Sequence, residues 1–360
     1  MRLVADGGLW STGPLSLAPP LVAVLEVSGA VLAWVADGDA AAPPSITFTD
    51  PARADWLWRV LGDSGHVEIL EAVRLREPGE PVDLAGVEIL PGSTDLLRRL
   101  AFGHWLRRWW PASDRDGIAP LDPGLLDAEV ALLTVAAEDY FTDDTLDSEP
   151  AQLLAPQLAA LNILAAEGDP RVVALIDDCR EVAAEIGLDW PEIVAAAPRR
   201  EDFALAAGRG GPSRAADRIA GGVASVEWAA VPPGMFDAAE GAIEWSVTAG
   251  ADAVVQVALA GSDSPSGVAV ELRAGGAVGS GVLDLDGRAV LSLRDPGGQR
   301  LSETQVWNLD WSQATVGIGA ANGAESAETR DRVRTLARAR LAAVPEDAFL
   351  AEVVAAESDY

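Results

Sequence analysis

The spacing of apolar residues changes twice along this chain, and each change marks a different kind of structure. Over residues 1–92 the pattern is mixed. Leu21–Val27 and Ala30–Val35 are apolar runs separated by Ser28-Gly29, a two-residue break suited to a β-hairpin. Ser45–Thr49 predicts a short strand running into Asp50-Pro51. That pair supplies an N-cap and a first-turn proline for a helix over Ala54–Leu61, ending at Gly62. His66–Leu75 and Val82–Leu90 read as two more strands.

Residues 93–197 switch to helical spacing. Ser93-Thr94-Asp95 caps a helix that runs to Trp110 and stops at Pro111. Asp122-Pro123 opens a second helix towards Phe141, Ser148-Glu149-Pro150 a third towards Gly168, and Asp169-Pro170 a fourth towards Gly187. Four helices with short connections predict a bundle, standing alone or forming one unit with 1–92. Residues 198–222, punctuated by Pro198, Gly208, Gly210, Gly211, Pro212, Gly221 and Gly222, read as a linker.

From Val223 the period becomes two. Candidate strands are Ser225–Ala229, Ala242–Thr248, Ala253–Ala260, Val268–Arg273, Ser280–Leu285, Ala289–Arg294 and Thr315–Gly319, with Asp286-Gly287 as a hairpin signal. Short strands at this spacing predict an antiparallel β-sandwich over 223–323. Ala324–Ala343 is an Arg-rich amphipathic helix, followed by an acidic tail, Pro345–Tyr360, with a short apolar stripe at Phe349, Leu350, Val353 and Val354. The expected fold class is therefore α+β and multidomain: an N-terminal mixed α/β part with a helical bundle, then a C-terminal antiparallel β-sandwich and a terminal helix.

Composition narrows the function. The chain has 360 residues, 49% of them hydrophobic, enough for more than one core. Its 26 basic residues are all arginine, and they face 56 acids, for a net charge of −30. Arginine without lysine, together with abundant Ala, Gly, Val and Asp, fits the codon usage of a GC-rich bacterial genome. So negative a surface repels phosphate backbones and anionic lipid, and it favours cationic partners. Cys179 is the only cysteine, so neither an intrachain disulfide nor a thiolate zinc cluster is expected. It sits between acids, which hold its thiol protonated. Met1–Leu9 lacks the basic-then-apolar order of a secretory signal. The expected location is the cytoplasm.

Several segments bear on chemistry. Gly62-Asp63-Ser64-Gly65 resembles the nucleophile segment of trypsin-like serine proteases over four residues and departs from it at His66. Those enzymes take their base from an upstream histidine, and none precedes His66, so the segment reads as a helix-to-strand turn. With only His66 and His104, a three-histidine zinc site is out of reach, and no phosphate-loop or dinucleotide signature occurs. No cofactor is expected.

The acids Glu138, Asp139, Asp143, Asp144 and Asp147, with Glu149, are hard-cation ligands by type but lack EF-hand spacing. They define one alternative, a carboxylate-based, metal-dependent hydrolase. Arg98, Arg99, Arg107 and Arg108 with Trp105, Trp109 and Trp110 form the one basic, aromatic island before residue 197. At about 100° per residue these arginines encircle their helix, an arrangement suited to pairing with acids or stacking on indoles, with the 138–149 acids as the nearest candidates. Trp307 and Trp311, outside the clear strands, predict an exposed pair of indoles that anchors a protein or stacks on sugars. These arginines and tryptophans are the candidate partner-binding residues. The leading expectation is a non-catalytic interaction or adaptor subunit of a bacterial cytoplasmic complex. A carbohydrate-binding module is the second alternative.

Overall fold

In the computed structural model, residues 1–13, 17–75, 78–141, 149–191, 218–261, 264–320 and 325–358 are described. The chain is α+β and multidomain, and it divides into two compact units. The first draws on Met1–Trp110, Leu121–Glu192 and Glu328–Tyr360, the second on Pro111–Pro120 and Ile193–Ala327. Among the described residues no helix is long and apolar enough to cross a membrane.

The first unit begins with strands β1 (Arg2–Asp6), β2 (Leu9–Ser11), β3 (Val22–Val27), β4 (Ala30–Val35) and β5 (Ser45–Phe48). Helix α1 (Leu57–Leu75) and strand β6 (Val82–Asp83) follow, completing an antiparallel sheet in the order β3-β4-β5-β2-β1-β6. The β3–β4 hairpin turns on Ser28-Gly29, as the sequence predicts, with Val27 paired to Ala30. Gly29 has φ 73°, and a Cβ there would lie 2.2 Å from the Asp50 carbonyl oxygen, so glycine is required by both conformation and space. Trp56 seals the turn, donating from Nε1 to the Ser28 carbonyl at 2.7 Å.

Two expected strands come out otherwise. His66–Leu75 is helical, part of α1. Its buried positions Gly65, Ile69 and Ala72 follow helical spacing, while Val67 and Leu75 point to solvent and create a false alternation. Gly62 ends the first helical stretch as expected, with non-helical φ 71° and ψ 167°, but a second stretch follows across this kink instead of a strand. The Gly62–Gly65 segment is thus a kink within α1 rather than a helix-to-strand turn. Of Val82–Leu90 only Val82–Asp83 pairs, against Leu3 and Arg2.

The helices are α2 (Asp95–Trp109), α3 (Pro123–Glu138), α4 (Glu149–Leu154), α5 (Leu158–Glu167) and α6 (Pro170–Glu185). Two of the three Asp-Pro signals hold to the atom, whereas Asp50-Pro51 opens only the 3-10 turn Pro51–Arg53 and α1 starts later, at Leu57. Asp122 accepts from Leu125 N at 2.9 Å and Asp169 from Arg171 N at 2.8 Å, each ahead of a first-turn proline. The third expected helix is broken into α4 and α5.

The second unit holds β7 (Arg218–Ala224), β8 (Ile243–Thr248), β9 (Asp252–Val257), β10 (Ala269–Ala274), β11 (Ala277–Val282), β12 (Arg288–Ser292), the short helix α7 (Glu303–Asn308) and β13 (Thr315–Ile318). They form two antiparallel sheets, β11-β10-β13 and β12-β9-β8-β7, around one core that includes Trp245, Val255, Leu272, Leu291 and Val306. Strand β7 occupies the end of the segment read as linker, and Ser225–Ala229 is not a strand. Glycine disfavours strands, yet here Gly222 packs closely under a neighbouring ring: a Cβ there would stand 3.0 Å from Trp245, a tight contact. Asp286-Gly287 does turn the chain, with Asp284 Oδ1 accepting from Asp286 N and Arg288 N. It joins strands of different sheets, however, not the two arms of one hairpin. The segment Pro111–Pro120 is pinned through Asp237, 2% exposed, which accepts from Ser113 Oγ at 2.7 Å and Ala239 N at 2.8 Å.

The chain returns to the first unit as α8 (Ala327–Ala342) and α9 (Leu350–Ser358). Arg332 on α8 grips Asp37 through Nε and Nη2, both at 2.9 Å.

Candidate functional site

Helix α2 buries Leu97, Leu100, Ala101, Phe102, Gly103, Trp105 and Leu106, more than one face of a helix. Its arginines therefore lie against other elements. Three of them meet carboxylates. Arg98 Nη1 is 3.0 Å from Asp347 Oδ2, Arg99 Nη2 2.5 Å from Glu129 Oε1, and Arg107 Nε 2.5 Å from Asp127 Oδ1. Arg108 lays its guanidinium 4.4 Å over the Trp109 ring. The expected pairing and stacking are both present, but the carboxylates that bind these three arginines come from α3 and the C-terminal segment rather than from 138–149. Trp105 is buried, donates from Nε1 to the Pro20 carbonyl and stacks on Phe102; Trp110 is buried, and Trp109 is half-buried.

A second layer joins these pairs to the C-terminal segment. Arg340 on α8 holds Glu352 of α9 with two bonds, at 2.5 and 2.8 Å, and its guanidinium sits 4.7 Å over Phe102. Glu352 is fully buried and also accepts from Phe349 N at 2.9 Å, closing the first turn of α9. Glu129 accepts from Leu350 N at 2.7 Å. Phe349 is itself fully buried, with Arg99 5.3 Å above its ring. Its seat exists because α2 carries glycine at 103: a Cβ there would stand 2.9 Å from Phe349 Cζ and 2.6 Å from Val130 Cγ2.

The electrostatics follow the packing. Burial raises the Glu129 carboxyl above its usual value, against the opposing pull of Leu350 N and Arg99. For Asp347 burial acts upward too, but the Arg98 bond and the Arg340 charge outweigh it and hold it below the usual value. His104 Nε2 lies 3.4 Å from Glu149 Oε1. Burial, then the Arg107 charge, lowers the His104 pKa to about 4, so the imidazole is neutral at pH 7 and the contact is no ion pair. Burial raises Glu149, with Arg107 opposing. Burial pushes the Cys179 thiol up to about 12, reinforced by Asp178 and Glu129.

Of the metal-ligand candidates, Glu138 is half-buried at the end of α3 and Asp139 is exposed just beyond it; Asp143, Asp144 and Asp147 lie outside the described residues. Among the described residues no group of three or more His, Cys, Asp or Glu is placed to hold a metal ion.

In the second unit Trp307 and Trp311 part ways. Trp307 is 60% exposed on α7. Trp311 packs 6.4 Å from Trp245 against the core and donates from Nε1 to the Val306 carbonyl. They are not an exposed pair. Helix α7 is held by a complete capping box: Ser302 Oγ accepts from Gln305 N, and Gln305 Oε1 accepts from Ser302 N at 2.8 Å. The interior carboxylates Asp127, Glu129, Asp237 and Glu352 carry no sequence signal, because acids of the same type cover the surface. Comparison of the chain with known protein families, characterised proteins and solved structures finds no match.

Proposed function

We propose that this chain is a non-catalytic protein–protein interaction or adaptor subunit of a bacterial cytoplasmic complex. The observation that carries this reading is Trp307, a large indole left 60% exposed on a short helix whose first turn is closed by a capping box. Tryptophan is enriched among the few residues that dominate protein interfaces. Glu303 and Asp310 stand at either end of α7, and the whole chain carries −30. That charge favours a protein partner with a basic rim and disfavours nucleic acid and anionic membrane. The inward use of the α2 arginines fits the same reading, since polar groups that hold a fold are not poised to react.

The test is the hydrodynamic size of the chain in native extract. The adaptor reading expects a complex well above the 37.4 kDa of the free chain at low salt, shrinking as salt rises. Elution as the free chain at every salt concentration overturns it.

A further inference from the structure

Within the first unit, α9 and the residues before it pack against α2, α3 and α8 through arginines and one aromatic side chain. The segment from Asp347 to Glu357 presents one buried aromatic and three carboxylates, each held by arginine. Asp347 meets Arg98 at 3.0 Å and Arg340 at 3.5 Å, Glu352 takes two bonds from Arg340, and Glu357 takes two from Arg171, at 2.8 and 2.7 Å. Phe349 fills the slot over Gly103, and Glu129 receives the first amide of α9.

In a chain with 26 basic residues against 56 acids, these contacts use Arg98, Arg99, Arg171 and Arg340 on a single short segment. The fit is incomplete: the buried Nε of Arg99 has no hydrogen-bond partner among the described residues. From Phe349 onward the apolar contacts of the segment are Phe349, Ala351 and Ala355, which are buried, and Leu350, Val353, Val354 and Ala356, which are half-buried. The connection from α8 is exposed at Ala342, Ala343 and Val344. A terminal segment with one aromatic anchor and an exposed link is placed to open locally, ahead of the helices beneath it.

We propose that the Gly103 slot, with Arg98, Arg99, Arg340 and Glu129, is a binding site for an acidic peptide bearing a phenylalanine, autoinhibited in this structure by Asp347–Glu357. The partner it fits is a protein with an extended or helical segment in which acids flank a phenylalanine, with a carboxylate three residues after it, as Glu352 follows Phe349. The proposal rests on the adaptor reading for the existence of such a partner, whereas the self-docking is a property of the chain alone.

Two measurements on the full-length chain test it. In hydrogen exchange, amides of 347–358 are expected to show at least about tenfold less protection than the core of α3; equal protection, meaning that the segment opens only with global unfolding, overturns the proposal. In anisotropy, a fluorescein-labelled peptide of residues 345–358 is expected to bind the Phe349→Ala chain at least about tenfold more tightly than wild type. The same peptide with its phenylalanine replaced by alanine is expected not to bind. Asp347→Asn loosens the segment without opening a cavity and serves if Phe349→Ala does not fold. Equal binding to released and wild-type chains, or binding to neither, overturns the proposal. Peptide binding in a chain that elutes alone from native extract would leave the docking site standing and remove the adaptor reading.

Discussion

Replacing Arg340 by alanine is the sharpest structural perturbation this fold offers. Arg340 gives Glu352 two charge-assisted bonds, at 2.5 and 2.8 Å, and Glu352 is fully buried. Removing one partner of such a pair strands a charge in the interior, at a cost of about 3–5 kcal/mol. Loss of the stack on Phe102 adds about 0.5–1 kcal/mol. Arg340→Ala is therefore expected to cost about 4–6 kcal/mol, much of the stability of an ordinary domain. In the double variant Arg340→Met with Glu352→Gln, no charge is stranded and the Gln carbonyl still accepts from Phe349 N. That chain is expected to lie within about 2 kcal/mol of wild type, the remainder being coupling between the two residues. The assay is urea unfolding read by hydrogen exchange on peptides from α2 and α3, so that the second unit's transition does not mix in. A loss below about 1 kcal/mol for Arg340→Ala, or a double variant no more stable than the single, would refute the reasoning.

Four further expectations test other parts of the fold. Gly29→Ala meets the Asp50 carbonyl oxygen at 2.2 Å in a left-handed conformation, and by calorimetry it should cost more than about 2 kcal/mol. Gly7→Ala, where a Cβ meets nothing within 4 Å, should cost only about 1 kcal/mol of backbone strain. Asp237→Ala removes the acceptor for Ser113 Oγ and Ala239 N inside the second unit, and that unit's urea midpoint should drop by an amount equivalent to about 2–3 kcal/mol. The depressed pKa of His104 stabilises the fold above the ordinary value of 6.5, and that contribution, at most about 3 kcal/mol, is lost as pH falls towards about 4. The raised carboxyls of Glu129 and Glu149 act the other way, gaining stability on protonation. His104→Asn should therefore flatten the decline between pH 6.5 and 4; an unchanged pH profile contradicts the assignment.

Local signals in the sequence are legible where one physical cause dominates. The Asp-Pro helix starts at Asp122 and Asp169 and the Ser28-Gly29 turn depend on neighbouring atoms only, and each is where the residues say it should be. Period alone failed at His66–Leu75, because Val67 and Leu75 are apolar on a solvent face, and at β7, where Gly222 serves a ring on the next strand. The assembly of the first unit from three stretches of chain rests on contacts such as Arg98–Asp347 and Arg332–Asp37, which no local pattern encodes. For the candidate site, helical geometry showed that the α2 arginines could not form one exposed stripe. It could not show which of 56 acids would meet them. The separation of Trp307 from Trp311 was likewise invisible, since it depends on where Trp245 stands.

Affinity capture with wild-type chain and Trp307→Ala in parallel tests the central claim most directly. Trp307 is exposed enough that its loss should change stability by less than about 0.5 kcal/mol, so any difference reports binding. The wild type is expected to retain a partner in near-stoichiometric amount, and the variant to be depleted of it about tenfold or more. Recovery of the same proteins in equal amounts by both chains, or of none by either, would contradict that claim.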